Sequence, residues 1–188
     1  MMTKMEKLLS LELKVFTVQD LMTIWGVFEK KKLWSLIRYY LRVGKLKKVY
    51  KGVYSIGEYD ELGLAQKLLK PSYISYYTAL AFHGVIFQFY GSVHCVGLIS
   101  KKIKINDKEF VYHKLKESVF YNSLGIVSKK NFVIAGLERA VTDSLYLAPT
   151  LSFDELSKVS KQKLHEVSKI YNNKSLEKRV DLLIKTME

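Results

Sequence analysis

The chain has 188 residues and is 48% hydrophobic, enough to bury a core in one large domain or two small ones, which excludes a disordered tail. Its formal net charge of +13 is uneven: residues 1–56 hold twelve Lys and Arg against four Asp and Glu, a net of +8. That crowding favours a polyanion, because each phosphate neutralised releases condensed counterions, and no apolar run reaches the roughly 20 residues a membrane span requires.

The first 56 residues are predicted to run helix, helix, helix, ribbon. Met5, Leu8, Leu9 and Leu13 give the first helix one apolar side. Thr17 is placed to cap VQDLMTIWG, with Asp20 at the third helical position, and Gly26-Val27 form the turn into a basic segment. In EKKKLWSLIRYYLRVG, Leu33, Leu36, Ile37, Tyr40 and Leu41 follow the i, i+3, i+4, i+7, i+8 spacing of one buried helix face. The opposite face carries Lys31, Ser35, Arg38, Tyr39 and Arg42, and Gly44 is available as the stop. KLKKVYKGVYSI then alternates Leu46, Val49, Val53 and Ile56 with Lys45, Lys47, Lys48 and Lys51, a two-strand ribbon with a tight Lys51-Gly52 turn. This order matches the recognition helix and wing of a winged helix-turn-helix, a DNA-binding module.

IGEYDELG, where the local charge changes sign, marks a linker at 57–62, and a second domain is expected over 63–188. LGLAQKLL is helical and stops before Pro71; Ser72 or Ser75 caps a helix through YYTALAFHG that ends at Gly84. SVHCVGLI, KKIKI and EFVYHKL have the period of strands, with Asn106-Asp107 as a turn, and NFVIAG is a further strand. LERAVTDSLYLA is a helix, and two amphipathic helices follow from Phe153 onward: Leu156, Val159, Leu164, Val167 and Ile170 in one, Leu176, Val180, Leu183 and Ile184 in the next, separated by Asn172-Asn173. The expected class is α+β: an N-terminal winged helix-turn-helix followed by a mixed α/β domain ending in helices.

For DNA, Arg38 and Arg42 are the best base readers, since a guanidinium pairs bidentately with guanine O6 and N7 in the major groove, and Ser35 and Tyr39 stand beside them. Lys30, Lys31 and Lys32 are placed to clamp phosphate at the helix start, and Lys47, Lys48 and Lys51 to lie over the adjacent backbone or minor groove. The competing view of each is an ordinary solvated charge. Trp25 is read as core, and Trp34 as flanking the buried face. In the second half, His83, His94 and His113 match no zinc spacing, and no phosphate loop or nucleophile elbow occurs. Neither catalysis nor a cofactor or metal is expected. His83 is read as a partner for its helix's C-terminal dipole, and Arg139 with Asp143 as a structural i, i+4 pair near Glu138. The lone Cys95 fits a reducing compartment, and MMTKMEKLLSLELK is a poor signal peptide because Glu6 and Glu12 interrupt it; a cytoplasmic protein is expected.

Four segments resemble the AbiEi family of antitoxins from type IV toxin-antitoxin (abortive infection) systems, over roughly residues 15–150: FTVQDLMTIWGV, GKLKKVYKGVYSI, PSYISYYTALAFHGV and GLERAVTDSLYL. Tyr77-Thr78-Ala79-Leu80 departs from the family's usual Ser-Ala-Leu form, and Gly136-Leu137 stands where a proline often precedes the Glu-Arg pair. The resemblance implies a winged helix that binds operator DNA and represses its own operon, joined to an α/β domain that counters a nucleotidyltransferase-like toxin without a stable complex with it. Two copies on an inverted repeat, a possible homodimer on DNA, are expected because one short helix contacts few bases. Two other readings stay open: a DNA-targeted nuclease or nucleotide-modifying enzyme using Glu138 or Asp143, and a winged-helix protein-interaction module.

Overall fold

A computed structural model describes residues 2–88 and 91–187, and the chain divides into two compact units, Met1–Leu68 and Leu69–Glu188. Both mix helices with sheet, so the class is α+β.

The first unit runs α1 (Lys4–Leu9), β1 (Val15–Thr17), α2 (Val18–Trp25), α3 (Lys30–Arg42), β2 (Lys47–Tyr50), β3 (Val53–Ser55) and α4 (Glu61–Leu68). Its three strands form an antiparallel sheet in the order β1-β3-β2, which makes β3 central and explains why Val53, Tyr54 and Ser55 are all buried. This arrangement is compatible with a winged helix. Local signals act as expected: Thr17 accepts from the Asp20 N–H while Asp20 accepts from the Thr17 N–H, closing a capping box, and Gly26 ends α2 at φ 61. The core gathers Leu8, Phe16, Leu21, Trp25, Leu33, Ile37 and Leu46. Trp25 is fully buried, as its sequence context predicts, and its Nε1 donates to the Lys4 carbonyl at 2.9 Å, tying α1 to α2.

Two expectations for this unit change. Leu9 is 58% exposed, because α1 is only six residues long and turns at Ser10; Leu13 instead packs on the core from the segment before β1. The unit also runs past the expected 57–62 linker and takes in α4. Asp60 accepts from the Leu62 and Gly63 N–H groups to start that helix, α4 packs along β1, and Lys67 pairs with Asp20 at 2.8 Å. A capped, amphipathic segment with a partner on α2 is retained by the unit that precedes it.

The second unit holds β4 (Ser72–Ile74), α5 (Tyr76–His83), β5 (Ser92–Gly97), β6 (Lys101–Ile105), β7 (Lys108–Lys114), α6 (Glu117–Phe120), β8 (Ile126–Ser128), β9 (Val133–Ala135), α7 (Leu137–Leu147), α8 (Lys161–Lys169) and α9 (Lys174–Thr186). Its six-stranded sheet has the order β6-β7-β5-β4-β9-β8, with β4·β9 and β5·β7 parallel and the other pairs antiparallel. Helix α7 is the hub: residues Arg139 through Leu145 are all buried, with α5, α8 and α9 packed around it. The last third of the chain therefore belongs to the second unit. Ser72 lies in β4 and caps no helix, and Ser75 precedes α5 but spends its hydroxyl elsewhere. Helix α8 begins only at Lys161, where Ser160 accepts from the Lys163 N–H, so Leu156 and Val159 lie in the preceding loop. Among the described residues no helix is long and apolar enough to cross a membrane.

Candidate nucleic-acid interface

Helix α3 owes its orientation to its apolar stripe. Leu33 and Ile37 are each 1% exposed, Leu36, Tyr40 and Leu41 pack partly buried beside them, and the Tyr40 ring meets the Trp25 ring at 5.4 Å. With that face pinned, the 3.6-residue repeat turns Lys31, Lys32, Ser35, Arg38, Tyr39 and Arg42 to solvent; Lys30 lies in line with the stripe but at the first position of the helix, and all seven are exposed. Between Lys30 and Lys51 the chain carries nine Lys and Arg and no carboxylate.

The helix and the following hairpin are bonded to each other. The Tyr40 carbonyl accepts from the Lys45 and Leu46 N–H groups at 3.0 and 3.1 Å, fixing where β2 starts. The hairpin turns at Lys51-Gly52, with Gly52 at φ 74, a conformation that favours glycine, and the Gly52 carbonyl accepts from the Val18 N–H at 3.1 Å. Lys47 and Lys48 pair in register with Ser55 and Tyr54, after which the register shifts before Tyr50. Strand β2 is an edge of its sheet, and Lys47, Lys48 and Lys51 are exposed on it and on the turn.

Within the patch the side chains fall into three groups. Lys30, Lys31, Ser35 and Arg38 surround an open depression of about 690 Å³ together with Trp34. One turn on, the Arg42 guanidinium lies 6.0 Å from the centre of the Tyr39 ring, which holds both planar groups side by side. The hairpin lysines form the third group, and Lys32 lies outside the depression. Trp34 flanks the buried face as expected, 43% exposed, but it also lines the cationic depression, which the apolar spacing does not predict. Its i−4 and i+4 neighbours, Lys30 and Arg38, were the signal available in the sequence.

The second unit gathers its polar residues differently. Arg139 and Asp143 are fully buried and paired, Nε to Oδ1, at 3.2 Å. Asp143 also accepts from the Ser75 hydroxyl at 2.6 Å, from the Tyr73 phenol at 3.1 Å and from the Tyr171 phenol. Arg139 spends its remaining N–H groups on the Asn122, Leu124 and Val119 carbonyls and the Tyr73 hydroxyl, at 2.9–3.1 Å. Burial works against the guanidinium's charge, yet Asp143 and the two phenols hold its pKa above its ordinary value. Burial first, then Asp143, raises the Tyr73 and Tyr171 phenols. The expected pair is thus present as a closed network of satisfied donors. Glu138 takes no part in it: its carboxylate accepts from the Ser160 N–H at 3.1 Å, anchoring the start of α8. His83 Nε2 bonds the Ala135 carbonyl at 2.8 Å, so it links α5 to β9.

His94 and His113 meet across the parallel strands β5 and β7, Nδ1 to Nε2 at 2.9 Å, with Ser92 Oγ 2.8 Å from His94 Nε2. Tyr76, at φ 56, lays its ring 4.7 Å from His113 and 5.5 Å from His94. Burial, then His113 and Lys102, lowers the His94 pKa to about 4, and burial with Lys102 lowers that of His113. Among the described residues no group of three or more His, Cys, Asp or Glu is placed to hold a metal ion.

No protein-family model matches this sequence, and no curated protein matches it. What the chain offers a partner is read from its own side chains.

Proposed function

We propose that this protein is a sequence-specific, DNA-binding transcriptional autorepressor and that it serves as the antitoxin of a type IV toxin-antitoxin system, countering a nucleotidyltransferase-like toxin. The observation that carries the DNA reading is the joint placement of α3 and the β2–β3 hairpin. Six polar or cationic residues of the helix are exposed on one side with Lys30 at its start, three lysines are exposed on the hairpin, and carboxylates are absent between Lys30 and Lys51. In this reading the N-terminal unit is a winged helix, α3 enters the major groove, and the hairpin is the wing. Arg38 and Arg42 read guanine edges, Ser35 and Tyr39 assist, Lys30, Lys31 and Lys32 hold phosphate at the helix start, and Lys47, Lys48 and Lys51 track the neighbouring backbone. Two copies occupy an inverted-repeat operator, as a homodimer formed on the DNA. The protein is cytoplasmic and not an enzyme.

The antitoxin half of the proposal rests on the AbiEi resemblance, which spans both units. The buried Arg139–Asp143 network supports a structural task for the Glu-Arg-Ala-x-x-Asp helix, since both members of that pair are fully buried. Fluorescence anisotropy of the full chain with its own upstream promoter, against a shuffled duplex of equal length, tests the repressor at low and physiological salt. Tighter promoter binding that survives physiological salt is expected. Equal affinities that collapse together with salt would overturn specific repression, leaving only counterion release. Growth rescue on co-expression with the neighbouring toxin gene tests the antitoxin role, and no rescue would refute it.

A further inference from the structure

Trp34 has no place among the polar contacts just assigned, yet it stands in the middle of them. It sits one helical turn from Lys30, Lys31 and Arg38, all of which line the same open depression of about 690 Å³, and it keeps 43% of its surface exposed. Other large apolar side chains of this chain are more exposed, Phe28 at 71% among them; what sets Trp34 apart is that its indole lines a depression whose other walls are cationic or polar. The cations around it select an anionic partner. In duplex DNA, the apolar group that the major groove presents between phosphate rows is the thymine 5-methyl, and contact of an apolar side chain with it favours thymine over cytosine, which lacks it.

Building on the proposed groove contact of α3, we infer that Trp34 is a specificity-determining residue that packs its indole against a thymine methyl, in the step next to the base pair read by Arg38. Lys30 and Lys31, at the solvent-exposed start of the helix, hold the flanking phosphates and set the depth at which the indole enters. Trp34 therefore confers preference for an A·T pair at one position of each half-site, a preference carried by a single methyl group.

The test uses the full chain and a random-sequence duplex library. Rounds of selection give the preferred site, and anisotropy then compares that duplex with versions carrying deoxyuridine in place of each thymine in turn, which removes only the methyl. The expected result is one thymine per half-site whose replacement weakens binding about fourfold, the equivalent of about 0.8 kcal/mol for one buried methyl-sized group. Trp34→Gln should lose that sensitivity while Trp34→Phe retains part of it. Both should still fold, with a modest fall in melting temperature that is larger for Gln, because over half of the indole is covered by its own chain; binding is compared well below both melting points. Failure to enrich any sequence would overturn the repressor reading and this inference with it. Enrichment of a site that tolerates deoxyuridine everywhere, or equal deoxyuridine sensitivity in Trp34→Gln, would overturn the inference alone. Tighter binding to the single strand than to the duplex would also overturn it, assigning the indole to base stacking instead.

Discussion

Asp143→Ala is the substitution for which the second unit sets the clearest expectation. Asp143 is fully buried and accepts from Ser75, Tyr73, Tyr171 and the Arg139 Nε, so alanine removes the counter-charge of a buried guanidinium and an acceptor shared by three hydroxyls. Breaking a buried ion pair by deleting one partner costs about 3–5 kcal/mol, and each buried hydroxyl stripped of its acceptor costs about 1–3 kcal/mol more where no water replaces it. Arg139 retains three carbonyls and the Tyr73 hydroxyl, which softens the first term. At their low end these terms sum to about 6 kcal/mol, and relaxation around Arg139 brings the net expectation to a loss of about 4–6 kcal/mol, a large share of the stability of an ordinary domain. Urea unfolding followed by far-UV circular dichroism measures it as a fall in midpoint at constant slope. Asp143→Asn keeps an acceptor oxygen for the hydroxyls without the charge and should lose about half as much. A loss below about 1 kcal/mol for the alanine variant would refute the view that α7 is locked by this network.

Arg38→Ala with Arg42→Ala, at two exposed positions, should leave melting unchanged, lower promoter affinity by about a hundredfold and erase most of the preference over the shuffled duplex; equal loss on both duplexes with a salt slope flattened by about two would make both arginines mere phosphate contacts. Gly125 has φ +73 and a built Cβ would lie 2.8 Å from Arg139 Cβ, so Gly125→Ala should cost at least about 2 kcal/mol in the same urea assay, and a neutral outcome would contradict the close approach. His94 is held neutral in the fold, its pKa depressed to about 4 from 6.5, and that of His113 is lowered too. The unfolded chain therefore binds more protons between those values, and the contribution of the pair to stability, present above pH 6.5, is lost as pH falls toward about 4. A His94→Gln, His113→Gln variant should show a smaller drop in urea midpoint between pH 7 and 4.5 than the native chain; identical drops would remove these histidines from the acid response.

What the sequence determined by itself was the local part of the fold. The capping box at Thr17 and Asp20, the left-handed glycines at 26, 52 and 84, and the stripe from Leu33 to Leu41 each act within a few residues, so their geometry is written in spacing alone. The solvent-facing side of α3 followed from the same stripe, which is why Lys31, Ser35, Arg38, Tyr39 and Arg42 are exposed. The three-residue strands β1, β4 and β8 escaped because so short a run has no measurable period, and each exists only through its pairing with β3, with β5 and β9, or with β9. Tertiary structure alone decided where α4 belongs, since its ion pair spans 47 residues of chain. It also decided that Ser75, though it stands at the N-cap position of α5, gives its hydroxyl to Asp143, 68 residues away, and that His94 meets His113. Trp34 shows the boundary between the two kinds of information: periodicity put it beside the buried stripe, but how much of an indole at that edge stays in water depends on which neighbours happen to cover it, and none does so fully.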